Sequence, residues 1–88
     1  MLTIEDCIAM SDLTEEEVEA IAEHEHLPMM AALEMGWFLV QTPEGEERVR
    51  IMIADDIAAA EAREDYARAA RLKRTLRRYV EAHNHIQQ

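Results

Sequence analysis

The sequence predicts an all-α protein, a compact bundle of four to five helices around a central apolar helix at about residues 28–40, completed by dimerisation. Three observations carry that expectation. Apolar residues recur at three- and four-residue spacing along the chain, the period of helices with one buried side. Only two Gly and two Pro occur in 88 residues, too few turn formers for a sandwich or a loop-rich fold. Helix start signals (Thr3, Thr14, Pro28, Thr42-Pro43, Asp65) stand ahead of each periodic segment. The length fits one domain, read as residues 1–83 with 84–88 as a frayed C-terminal tail. At 49% hydrophobic residues the chain is globular rather than disordered. A chain this short buries only about 60–65% of its unfolded surface, so a partner subunit would help its core.

Each element follows from local chemistry. Thr3, with Asp6 three residues on, opens a short first helix whose apolar side is Ile4, Cys7 and Ile8; Ser11-Asp12 breaks it. Cys7 reads as a small core residue rather than a reactive thiol. Thr14 starts the second helix with Glu17 in the capping-box position, and three Glu in its first turn suit the positive end of the helix dipole. It runs from Glu15 to about His26 and stops before Pro28, which disfavours helical geometry in the residue ahead of it. The third helix takes Pro28 as its first residue and extends to Val40, apolar all round except at Glu34. Such a helix is either the buried centre of the fold or the seam of a dimer. Gly36 in its middle implies that a neighbouring helix crosses closely there. Thr42-Pro43 starts a fourth helix over about 43–62. Residues 62–65 form a tight connection in which Asp65 caps the fifth helix, about 66–83. That helix places Ala69, Leu72, Leu76, Tyr79, Val80 and His83 on one stripe and its bases opposite.

Charge excludes several functions. Residues 1–62 carry sixteen acids against Arg48 and Arg50, a net −14, whereas residues 63–88 carry a net +4, giving −10 overall. Phosphate repels such a surface, and aromatics for base stacking are few, which argues against nucleic acid. The basic last helix is expected to lie on the acidic remainder, in the same chain or a sister subunit. The second and third helices could imitate a helix-turn-helix, but the would-be recognition helix carries no Arg, Lys, Asn or Gln before Gln41 to read base edges. An acidic N-terminus without a signal-like apolar run, and no stretch of about 18 apolar residues, imply a cytoplasmic protein without a membrane segment. A single Cys excludes an internal disulfide, and neither a phosphate loop nor a nucleophile set is present.

Polar residues on apolar stripes are the places where chemistry could sit. On a helical projection, Glu25 falls between Val18, Ile21 and Ala22, and Asp56 falls amid Val49, Met52, Ile53 and Ile57. Glu34 is the lone polar residue of its helix. Each carboxylate needs a partner if buried. The most economical pairing is Asp56 with His26, within a candidate buried network of Glu25, His26 and Asp56; His26 lies at the stripe's edge and His24 points well away. The run Glu23-His24-Glu25-His26 also holds ligand-type residues, and Glu23 with His26 matches the Glu-x-x-His spacing of carboxylate-bridged di-iron bundles. With Glu34 or Asp56 as further ligands, zinc or iron is the cofactor to test. The reading the residues favour is nonetheless structural: both histidines complement the negative end of the helix dipole and no cofactor is needed, with zinc or iron as the alternative.

The stretches LTEEEVEAIAEHEH (residues 13–26) and IMIADDIAAAEARED (residues 51–65) resemble a family of short, all-helical bacterial proteins of unknown function carrying a Glu-His-Glu-His motif. The likeness runs from about Leu2 to His83. It implies no activity, cofactor or site beyond Glu23 to His26 and Asp55-Asp56. The function expected from the sequence is therefore that of a non-catalytic, homo-oligomeric interaction or regulatory protein, with metal binding as the alternative. Interaction would use Met29, Met30, Leu33, Met35 and Trp37 of the apolar helix, and Arg71, Arg74 and Arg78 of the basic one, which a two-fold dimer could set on the acidic second helix of a partner.

Overall fold

A computed structural model describes residues 1–83; the tail expected to fray, 84–88, lies outside the described residues. Five helices form: α1 (Ile4–Ala9), α2 (Glu15–Glu25), α3 (Met29–Leu39), α4 (Pro43–Ala62) and α5 (Tyr66–Ala82), with no strand among the described residues. The caps are those of the sequence. Thr3 and Thr14 each make a reciprocal box: Glu17 N–H donates to Thr14 Oγ1 at 3.2 Å while Thr14 N–H donates to Glu17 Oε1 at 2.9 Å. Gly45 N–H donates to Thr42 Oγ1 at 3.0 Å, and Arg68 N–H donates to Asp65 Oδ1 at 3.2 Å. Pro28 is an exception. It stands one position ahead of α3 in extended geometry, and with no side-chain oxygen it makes no cap bond.

Two helices end through left-handed residues that are not glycine. His26 closes α2 at φ 57°, and Glu64 turns the chain at φ 62° between α4 and α5. The second turn is locked by Asp65 N–H donating to the Ala60 carbonyl at 2.8 Å.

The fold is organised around α4, which packs against α2, α3 and α5, and not around α3 as the sequence led us to expect. Val49, Met52, Ile53, Ile57 and Ala60 from α4 meet Val18 and Ile21 from α2, Ala32 and Leu33 from α3, and Ala69, Leu72 and Tyr79 from α5 in one core. On α3, only Ala32, Leu33 and Gly36 are buried; Met30, Trp37 and Phe38 face outward. The physical reason is supply. Once α2 and α4 have covered one side of α3, only the six-residue α1 remains to shield the rest. On α5, Thr75 takes a buried place, its hydroxyl donating to the Arg71 carbonyl at 3.1 Å, while Val80 is exposed, contrary to the stripe read from spacing.

Both glycines mark close approaches. A Cβ on Gly36 would lie 2.8 Å from the side-chain ends of Ile21 and Leu13, the tight crossing foreseen for this position. A Cβ on Gly45 would lie 1.8 Å from the Leu39 carbonyl oxygen, so the first turn of α4 abuts the backbone of α3. At this same end of α4, the buried Tyr79 hydroxyl of α5 donates to the Glu46 carbonyl at 2.8 Å. Burial pushes the phenol above its ordinary range, with the charges of Glu46 and Glu17 adding to it.

The basic helix lies on the acidic part of its own chain. Arg68 pairs with Glu23 of α2, and Lys73 pairs with Glu61 of α4 at 2.9 Å.

Candidate interaction surface and polar cleft

The residues singled out in the sequence fall into three places. The first is the outer face of α3 with α1. Exposed Met30, Trp37 and Phe38, with exposed Met10 after α1, surround a concavity of about 660 Å³ that Cys7, Ser11, Leu33 and Glu34 also line. Trp37 is 53% exposed and Phe38 71%, unusual for large apolar side chains. Of the five interaction candidates on this helix, Met30 and Trp37 are presented outward. Leu33 is buried, and Met29 and Met35 are half-buried against the core. Phe38 and Met10 were not among the candidates, although Phe38 follows Trp37 in the same apolar run. Cys7 is half-buried and packs against the core as expected, while bordering the concavity.

The second place is a polar cleft of about 330 Å³ between α2, α4 and α5, lined by Glu23, His24, His26, Asp55, Asp56 and Arg63, among others. The expected network of Glu25, His26 and Asp56 does not form. His26 is exposed because it leaves the helix in the left-handed region, which swings its side chain off the α2 face. His24 is the organising residue instead: Nδ1 lies 2.8 Å from Glu25 Oε2 and Nε2 lies 3.1 Å from Asp55 Oδ2. Two carboxylates can both be satisfied only by a ring that donates from both nitrogens. Burial pushes the His24 pKa down, but the bonds to Glu25 and Asp55 and the nearby Asp56 charge outweigh it and raise the pKa above its ordinary value.

Asp56 is buried, as its place on the α4 stripe implied, at 8% exposed. Its Oδ2 has no hydrogen-bond partner. Desolvation lifts its carboxyl to about 6, with the like charge of Asp55 adding to this and His24 and Arg63 opposing it. Glu23, a candidate metal ligand, is taken by Arg68. Glu34, another, is exposed and borders the apolar concavity instead of the cleft. Among the described residues, no group of three or more His, Cys, Asp or Glu side chains converges to hold a metal ion, so the five metal candidates Glu23, His24, His26, Glu34 and Asp56 are not brought together as a ligand set.

The third place is a groove of about 250 Å³ between α2 and α5, where Arg71, Arg74 and Arg78 face Glu16 and Glu19. No ion pair reaches those three arginines among the described residues.

Sequence reasoning missed one further buried acid. Glu17 is 2% exposed, and burial raises its pKa against the lowering effects of the Thr14 backbone bond and His83. The signal was present, since Glu17 lies only about 40° from Ile21 at 100° per residue. No helix of the described chain is long and apolar enough to cross a membrane. Comparison with protein-family models, curated proteins and solved structures finds no match.

Proposed function

We propose that the chain is a self-associating interaction protein whose seam is the outer face of α1 and α3. The observation that supports this reading is the exposure of Met10, Met30, Trp37 and Phe38 around one apolar concavity. These side chains offer on the order of 500 Å² of accessible surface, at the upper end of what a monomer leaves open. With its rim, such a patch approaches the roughly 800 Å² per partner of a standard interface. A second copy is the occupant because projecting aromatic rings and a hollow lie side by side on the same face. A two-fold axis through that face seats the rings of each copy in the hollow of the other, the isologous arrangement of a closed dimer.

Charge does not drive this association. Arg68 and Lys73 are paired within their own chain, and each copy brings a net charge of −10. Screening that repulsion with salt therefore strengthens the dimer instead of weakening it. Sedimentation velocity across a range of protein concentrations tests the reading. Trp37 is the single tryptophan, so its emission reports the seam directly. A dimer at tens of micromolar with blue-shifted emission is expected, and Trp37→Glu should remain a folded monomer. A wild-type monomer at about 100 µM with unchanged emission refutes the reading.

A further inference from the structure

The cleft between α2, α4 and α5 holds one acceptor and one cation that the fold leaves without partners. Asp56 Oδ2 is buried with no donor, a condition native chains seldom tolerate. Of the neighbouring donors, His24 and Arg68 are committed, while His26 lines the cleft but leaves α2 in the left-handed region with its side chain exposed. His24 uses both ring nitrogens on Glu25 and Asp55, and Arg68 is held by Glu23. Arg63 is the remaining cation of the cleft, and it makes no ion pair among the described residues although its charge reaches Asp56. Asp56 and Arg63 stand seven residues apart, so they occupy one face of the α4 path about 10 Å apart along the axis.

We propose that this cleft binds a small zwitterion, its ammonium donating to Asp56 at the floor and its carboxylate meeting the Arg63 guanidinium at the mouth. Oδ2 is closed off from solvent, so the Asp56 carboxylate turns about its soft χ2 to meet the ammonium, which then supplies the donor it lacks. A carboxylate gives Arg63 the bidentate partner its planar fork suits. Neither half suffices. An amine alone would meet the charge of Arg63, and an acid alone would meet the carboxylates of Asp55 and Asp56. Seven residues of helical path between Asp56 and Arg63 set the two ligand charges a few carbons apart rather than on one. A cleft of about 330 Å³ holds roughly ten heavy atoms, taking about 30 Å³ for each as for a water. The ligand class is thus an ω-amino acid or a compound of similar length and charge.

The test uses the full chain with four probes: 4-aminobutyrate, glycine, butylamine and butyrate. Titration calorimetry and thermal unfolding should show saturable binding and a rise in Tm with 4-aminobutyrate, at least tenfold stronger than with the other three. Asp56→Asn and Arg63→Gln should each lose that response. Asp56→Asn removes a buried charge and so stays folded, which keeps loss of binding separate from loss of structure. Three results overturn the proposal: no heat or Tm change with 4-aminobutyrate at about 10 mM, undiminished binding in either variant, or butylamine or butyrate binding as well as the zwitterion. The site is independent of the α1–α3 seam, so a monomeric Trp37→Glu chain should bind equally.

Discussion

Replacing Asp56 with Asn should stabilise the protein at neutral pH, against the usual rule that core substitutions destabilise. The carboxyl is 8% exposed, lacks a donor on Oδ2, and titrates at about 6 in the fold against 3.8 when unfolded. Lifting a carboxyl that far corresponds to about 3 kcal/mol against its ionised form. An acid whose folded pKa is raised binds protons more tightly in the fold, so stability falls as pH climbs from about 4 through 6, and above that the whole penalty is present. Asn carries no charge and keeps the shape. At pH 7.5 the variant should therefore be more stable by about 1–3 kcal/mol, the lower end allowing for support that ionised Asp56 gives His24. Near pH 4 both side chains are neutral, and the difference should vanish. Urea unfolding of both proteins at several pH values between 4 and 8 measures this. A variant less stable than wild type at pH 7.5, or a difference that does not change with pH, refutes the account of Asp56 as an unmet buried charge.

The other predictions concern packing and the latch on α5. Gly45→Ala places a methyl against the Leu39 carbonyl, and since backbone cannot step aside the cost should be about 3 kcal/mol or more by urea unfolding. Gly36→Ala meets only the flexible ends of Ile21 and Leu13, and helix propensity returns about 1 kcal/mol, so its loss should stay within about 1 kcal/mol. A Gly36 variant as damaging as the Gly45 variant would refute the distinction. Tyr79→Phe withdraws a buried donor from the Glu46 carbonyl and should cost about 1–2 kcal/mol. Thermal unfolding reads that as a fall in Tm of several degrees for a domain of this size.

Element boundaries were legible because Thr3, Thr14, Thr42 and Asp65 announce themselves chemically, each offering an oxygen to an otherwise unmet N–H. Asp56 was legible too, since it lies inside the uninterrupted helix α4, where 100° per residue applies. The same projection failed at His26, where one left-handed residue ends the helix and the angle no longer applies. It also misread His24, because pointing away from Val18 and Ile21 means facing solvent only if nothing packs there. In fact α2 has α3, α4 and α5 around it. The place of α3 was beyond a one-dimensional reading. An apolar surface looks identical in sequence whether its own chain covers it or not, and only the shortness of α1 decides that Trp37 and Phe38 stay outside.

The bond from Tyr79 to Glu46 makes α4 and α5 a clasp, held at one end by the turn through Glu64 and at the other by the Tyr79 hydroxyl. Two helices fastened at both ends cannot part like a hinge; they separate only after one fastening lets go. α1 has no such device, holding chiefly to α3 through one and a half turns. Opening should thus be graded along the chain, with α1 lifting many times for each release of the clasp. Each lift uncovers Cys7 and the underside of α3 while the rest of the fold stays shut, so thiol labelling of Cys7 would count those excursions. Amide exchange in the last turn of α5 would count the far rarer release of Tyr79.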